Sequence, residues 1–278
     1  MKEILLLVCL LSAPHSQEAL KTGSIQSLIA KGAVVQKVGT GYAFTEGSSV
    51  AKDGKVFFTD QPNDRIYIWD EQAGISLFKE GCERSNGTFF DRSGNLVACA
   101  DQHNRLVKFS PTGEMILLHD KGFKGRHLNG PNDLWIDRNG GVYFTDPYYQ
   151  RDYWIAGHRM EQDLQAVYYL KPSGELIRVI DDLKQPNGIT GTPDGKYLYV
   201  ADIMAGMTWK YTIQPDGSLD NKTSFAPCGS DGMTLDSRGN VYLTFGKVHV
   251  YNPQGQKITE IELPESPSNL CFGGKKKK

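Results

Sequence analysis

The chain has 278 residues, with 31 Lys plus Arg against 32 Asp plus Glu. That balance leaves no basic excess to draw nucleic acid or an anionic membrane surface. Hydrophobic residues at 39 %, together with 30 Gly, 13 Tyr and 12 Phe, fit a soluble core built from many strands and many tight turns.

In chain order the first element is a targeting segment. Lys2 precedes an apolar run over residues 4–11, followed by Ser12, Ala13 and Pro14. The run is too short to span a bilayer and has the length of a signal-peptide core. The competing reading is a buried first strand or helix, but the polar stretch after Pro14 offers it no partner pattern. Residues 1–19 are therefore expected to be a leader, with no clean small-x-small triplet to place the cleavage. Residues 20–278 are expected to form one secreted or periplasmic domain. No later stretch is long enough for a membrane span.

A repeat then organises the chain. A turn followed by an apolar strand and a polar end recurs as DGKVFFTD from Asp53, SGNLVACAD from Ser93, GGVYFTD from Gly140, DGKYLYVAD from Asp194 and RGNVYLTFG from Arg238. Its turn glycines, Gly54, Gly94, Gly140, Gly195 and Gly239, stand 40, 46, 55 and 44 residues apart. A second strand follows each at short range: RIYIWD, RLVKFS, AVYYLK, MTWKYTI and VHVYN. Glycine supplies the positive φ of a tight hairpin. A period of 40 to 50 residues is what one four-stranded propeller blade requires. A lone small sheet cannot bury both faces, whereas a ring of them can. The fold expected is all-β, a six-bladed β-propeller. Its last blade starts at PSNLCFGG from Pro267 and is truncated at the C-terminus, with residues near Ala33 to Val38 available as an outer strand. A β-sandwich with coincidental turn spacing is the weaker alternative.

Beyond the leader lie Cys82, Cys99, Cys228 and Cys271. Their spacing fits no zinc motif, and sequence alone cannot pair them.

Four motifs occupy matching places at successive inner strands: TEGSSV with Glu46, GPNDLWID with Asn132, QPNGIT with Asn187 and SDGMTLD with Asp231. Each alone reads as a turn, because Pro, Asn, Asp and Gly suit turn dihedrals. Taken one per repeat and in order, they read better as polar residues converging on a propeller channel. Two carboxylates and two amide oxygens make an oxygen-only donor set, which suits a hard cation such as calcium rather than zinc or copper. Other divalent cations remain open. The absence of a G-x-S-x-G elbow argues against a serine hydrolase.

The order of these motifs resembles the gluconolactonase, regucalcin and luciferin-regenerating-enzyme family of six-bladed propellers. RHLNGPNDLWIDRNGGVYFTDPYY from Arg126 is the most specific segment, supported by LKQPNGIT from Leu183 and SDGMTLDSRGNVYLTF from Ser230. The resemblance covers roughly Gly41 to Gly274. It implies a metal-dependent hydrolase opening a sugar lactone such as glucono-1,5-lactone, with calcium in the channel. Glu46, Asn187 and Asp231 match the metal positions, and Asn132 matches the position beside metal and substrate. Asp231 is expected to take the proton of the attacking water, with a metal-bound hydroxide as competitor, and Arg126 to orient substrate. Asp146, Tyr148 and Tyr149 are candidates for a substrate wall. A phosphotriesterase on the same metal plan, a strictosidine-synthase-like enzyme without calcium, and a non-catalytic binding propeller are the alternatives.

Overall fold

The computed structural model describes residues 28–30, 32–154 and 159–275. The leader expected over residues 1–19 lies outside them. Among the described residues no helix is long and apolar enough to cross a membrane.

Five antiparallel four-stranded sheets follow one another along the chain. Blade 1 is β1 (Thr45–Val50), β2 (Val56–Asp60), β3 (Arg65–Asp70) and β4 (Gly74–Glu80). Blade 2 is β5 (Ser85–Phe90), β6 (Leu96–Ala100), β7 (Arg105–Phe109) and β8 (Met115–His119). Blade 3 is β9 (Leu134–Ile136), β10 (Val142–Asp146), β11 (Ala166–Leu170) and β12 (Leu176–Ile180). Blade 4 is β13 (Pro186–Gly191), β14 (Tyr197–Asp202), β15 (Met207–Ile213) and β16 (Leu219–Ala226). Blade 5 is β17 (Met233–Leu235), β18 (Val241–Phe245), β19 (Lys247–Tyr251) and β20 (Lys257–Ile261). The repeat strands read from sequence are the second strands of these blades. The turn glycine before each has the positive φ that the tight turn demands, as at Gly94 with φ +87°.

The second and third strands run apolar because both faces are covered. Val97, Cys99 and Leu106 of blade 2 pack on Leu134, Phe144 and Tyr168 of blade 3. Trp135, Tyr143 and Tyr169 of blade 3 pack on Ile189, Leu198 and Val200 of blade 4. Tyr199 and Ala201 of blade 4 meet Val241 and Leu243 of blade 5, and Phe57 and Ile66 of blade 1 meet Leu96 and Val107 of blade 2. Each fully buried Leu or Phe in such a layer contributes about 1.5–3 kcal/mol. Two phenols of these layers pair with each other and with fixed acceptors: Tyr143 and Tyr169 stack at 4.2 Å, and their hydroxyls donate to Gly217 O and Asp137 Oδ2 at 2.8 and 2.6 Å. Cys82, Cys99, Cys228 and Cys271 are free thiols, packed as small hydrophobes.

The expectation of six blades is corrected to five. No sheet of a sixth, truncated blade forms among the described residues, and neither residues 33–38 nor 264–275 contain a strand. The physical reason lies in residues 264–275. Pro264 and Pro267 withhold backbone donors, and several other groups of the segment bond to both neighbours. Gly232 N donates to Ser268 O at 2.7 Å, Ser268 Oγ donates to Thr45 O at 2.6 Å, and Gly274 N donates to Gly54 O at 2.8 Å. Leu270 and Phe272 pack on Tyr242 and Val250 of blade 5. Cys271, Val38 and Tyr42 pack on Val56 and Phe58 of blade 1. An irregular segment thus fills the gap between the last sheet and the first.

The polar residue that ends each repeat strand has a structural task in three blades. Asp60 Oδ1 accepts from Ala43 N and Phe44 N, both at 3.1 Å. Asp146 accepts from Asn129 N at 3.0 Å and Gly130 N at 2.8 Å. Asp202 accepts from Lys184 N at 2.8 Å and Gln185 N at 3.0 Å. Each carboxylate clamps the backbone entering the inner strand of its own blade, and so holds the residues that face the channel. Asp146 is therefore a buried clamp and not a wall of a substrate site.

Candidate functional site

The four motifs fall at one station of the propeller, the start of the inner strand. In β1 the ladder to β2 skips between Glu46 and Ser49, and in β13 the ladder to β14 skips between Pro186 and Ile189. These bulges turn Glu46 and Asn187 out of the regular strand alternation. In blades 3 and 5 the same station lies just before the assigned strand. Asn132 N donates to Thr145 O at 2.9 Å, and Asp231 N donates to Thr244 O at 3.0 Å.

Glycine makes the stations converge. A Cβ on Gly87 would stand 2.5 Å from Asn132 O, and one on Gly188 would stand 2.6 Å from Asp231 O. Real side chains do not approach so closely, so glycine is what lets one blade's station press on the next. Hydrogen bonds tie the ring together: Thr59 Oγ1 to Asn86 O at 3.1 Å, Gly87 N to Asn132 O at 2.7 Å, Ile189 N to Asp133 Oδ2 at 3.3 Å and Gly188 N to Ser230 O at 3.3 Å.

Glu46, Asn187 and Asp231 come together. Asn187 Nδ2 donates to Asp231 Oδ1 at 3.0 Å and to the Tyr149 hydroxyl at 2.9 Å. Glu46 Oε2 accepts from Gly47 N and from Asn269 Nδ2, both at 3.0 Å. Burial raises the Glu46 carboxyl well above the usual carboxylate range, and the charges of Asp231 and Asp133 raise it further. Burial likewise lifts Asp231 to about 6, opposed by the Asn187 hydrogen bond, the Arg151 charge and the neighbouring Glu46 carboxyl. Two carboxyls in one desolvated place cannot both ionise cheaply without a cation. Asp133 is held at about 7 by burial, although Leu134 N and Ile189 N donate to it.

Two acceptor oxygens of this set are buried without a partner, Glu46 Oε1 and Asn187 Oδ1. A buried unpaired oxygen costs about 1–3 kcal/mol, a cost that a hydrogen-bond donor or a cation at this place would offset. The donors are all hard oxygens, and a calcium-type cation fits them. Among the described residues no group of three or more His, Cys, Asp or Glu could hold a metal; the set here is two carboxylates supplemented by amides. Asn132 is buried at the equivalent station of blade 3, 6 % exposed.

Arg126 lies elsewhere. It is exposed on the turn closed by Phe123, and its Nη1 donates to Glu161 O at 3.5 Å. The guanidinium that acts on Asp231 is that of Arg151, which sequence reading missed. Its Nε donates to Asp101 Oδ2 at 2.9 Å, and its charge stands 5.3 Å from the Tyr149 ring centre. Asp101 also accepts from Gln61 Nε2 at 2.9 Å and from the Tyr153 hydroxyl. Tyr149, a proposed wall residue, does reach the site through Asn187, and burial pushes its hydroxyl up to about 12. Asn269 was missed as well; it sits in PSNLCFGG at the ring position between blades 5 and 1, and the Ser-Asn pair resembling Pro-Asn at Asn187 was the available signal.

The chain is 26 % identical over 271 residues to the gluconolactonase of Zymomonas mobilis, covering 87 % of this chain and 76 % of that protein. It is 29 % identical over 217 residues to the diisopropyl-fluorophosphatase of Loligo vulgaris, covering 73 % and 67 %. The solved structure of a gluconolactonase from Xanthomonas campestris superposes with a TM-score of 0.78 at 27 % identity, covering 83 % of this chain and 80 % of that one. Residues 44–278 match the SMP-30/gluconolactonase/LRE-like region, the ring of polar stations belongs to that match, and the chain is a member of this family.

Proposed function

We propose that this protein is a lactone hydrolase that opens a sugar-type lactone with the help of a divalent cation, calcium by preference. The observation that carries the reading is the pair of unpartnered buried oxygens, Glu46 Oε1 and Asn187 Oδ1, beside a second carboxylate that Asn187 itself orients. Glu46, Asn132, Asn187 and Asp231 would hold the ion. Bound there, calcium supplies Lewis-acid polarisation of the lactone carbonyl and stabilises charge on its oxygen.

The chain's residues do the rest. Asn187 fixes Asp231 through one hydrogen bond, leaving Asp231 Oδ2 to take a proton from water attacking the carbonyl carbon. The bond from that carbon to the ring oxygen breaks, and the ring oxygen leaves as a hydroxyl with the proton returned to it. Arg151, partly exposed, would meet the carboxylate that ring opening creates. Arg126, exposed beside Glu161, would contact only a substrate group that reaches that turn.

A second reading is favoured by the likeness to the squid diisopropyl-fluorophosphatase: the same site would act on a phosphotriester. Initial rates on glucono-1,5-lactone, corrected for spontaneous opening, and on a paraoxon-like ester separate the two. The lactone is expected to be cleaved faster; a preference for the ester would transfer the chain to the second reading. Chelation should abolish hydrolysis and lower Tm, because a ligand bound only by the folded state stabilises it by mass action, and calcium should restore both. Full activity in metal-stripped protein would refute the cation reading. The leader read over residues 1–19 would export the domain, which mass spectrometry of the product expressed with its own N-terminus checks: an intact Met1 refutes export.

A further inference from the structure

We infer that Asn86 gives a further side-chain oxygen to the cation site, bonding the ion directly or through one of its waters. The inference rests on the cation reading above and extends it to blade 2, whose inner strand contributes no residue to the set named so far.

The station is the same one. The ladder between β5 and β6 skips between Ser85 and Thr88, as β1 skips after Glu46 and β13 after Pro186. The motif around it, Ser85-Asn86-Gly87, repeats the Pro186-Asn187-Gly188 pattern. Around the ring Asn86 lies between Glu46 of blade 1 and Asn132 of blade 3. Its backbone is committed on both sides: Asn86 O accepts from Thr59 Oγ1 at 3.1 Å, and the next residue's N–H donates to Asn132 O at 2.7 Å. Those bonds hold the main chain and leave the side chain to another use.

That side chain is 2 % exposed, and its Oδ1 is buried with no hydrogen-bond partner. A turn asparagine would spend this oxygen on nearby backbone. Asn269 does so at the sixth ring position, where Oδ1 accepts from Leu270 N at 2.8 Å and from Ser48 Oγ at 2.9 Å. Asn86 behaves instead like Glu46 and Asn187, whose free oxygens are buried at the matching stations. A neutral amide oxygen adds a ligand without adding charge, and calcium takes 6–8 oxygens, more than Glu46, Asn132, Asn187 and Asp231 supply one apiece.

Calorimetric titration of the full chain with calcium chloride, beside Tm with and without calcium, tests this. Asn86→Ala should weaken calcium binding about 10-fold or more, the scale of losses at supporting groups of metal sites, and should shrink the calcium-induced rise in Tm. Wild-type calcium affinity in Asn86→Ala would overturn the inference. If Asn86→Ala does not fold, Asn86→Asp decides: it keeps the shape, adds a charge, and should bind calcium at least as tightly as the wild type, whereas weaker binding overturns the role. A wild-type chain that binds neither calcium, magnesium nor manganese refutes the cation reading itself, a result distinct from a wild type that binds and a variant that binds equally well.

Discussion

Asn187 Nδ2 stands 3.0 Å from Asp231 Oδ1, so a residue of blade 4 orients the carboxylate of blade 5 while keeping its own oxygen unpaired. This relation separates two roles for Asp231, ligand and proton acceptor. Asp231→Asn keeps an oxygen donor and the shape but loses the charge and the capacity to take a proton. As a base, its loss should lower turnover by roughly 10²-fold or more at saturating calcium. Glu46→Gln removes one charge at the same ion with no proton role, and should recover most of its turnover when calcium is in excess. Turnover with occupancy confirmed by titration is the measurement. Equal loss in both variants would assign the effect to charge at the ion.

Arg151 lowers the pKa of Asp231 through space, against the raising effect of burial. Arg151→Gln should therefore raise the pKa of Asp231 and move the acid limb of the kcat/KM profile to higher pH. An unmoved acid limb would show that the guanidinium does not act on Asp231. A rise in KM alone would confine Arg151 to substrate contact.

Gly188 has no room for a side chain, since a Cβ would sit 2.6 Å from Asp231 O. Gly188→Ala should destabilise the fold by about 1–3 kcal/mol, the scale of overpacking. It should also weaken calcium binding, because it forces blades 4 and 5 apart at the site. Unchanged Tm and unchanged calcium affinity would contradict the close packing of the stations.

Burial holds Asp146 at about 7, despite hydrogen bonds from Asn129 N and Gly130 N. The unfolded carboxyl titrates near 4, so the folded state binds the proton more tightly. Its contribution to stability is complete below about pH 4 and is lost as pH rises through about 7. The magnitude is on the order of 4 kcal/mol. Denaturant unfolding of calcium-free protein across this window should show stability falling with pH, and Asp146→Asn should flatten that slope. A slope identical in the variant would remove Asp146 as its source.

The blade pattern was legible in the sequence because it is local. Gly54, Gly94, Gly140, Gly195 and Gly239 mark turns that any strand-turn-strand unit must make, and the apolar runs after them report burial on both faces. Glu46, Asn132, Asn187 and Asp231 could be picked out as candidates for the same reason, since a repeat places equivalent residues in equivalent stations. The number of sheets was not local. Residues 264–275 carry strand-like side chains such as Leu270 and Phe272, but their backbone donors and acceptors go to blades 1 and 5, which only the closed ring makes available. Nor could spacing choose the arginine. Arg126 sits in the most family-like segment and points its charge to Glu161 O, while Arg151 reaches Asp101 from a loop 50 residues away in sequence. Sequence by itself determined the repeat, the strands and the chemical type of the site, because those follow from short-range sterics and periodic burial. Which oxygens stay unpaired, which cation faces Asp231 and how the ring closes were decided by tertiary structure, because each depends on groups brought together from different blades.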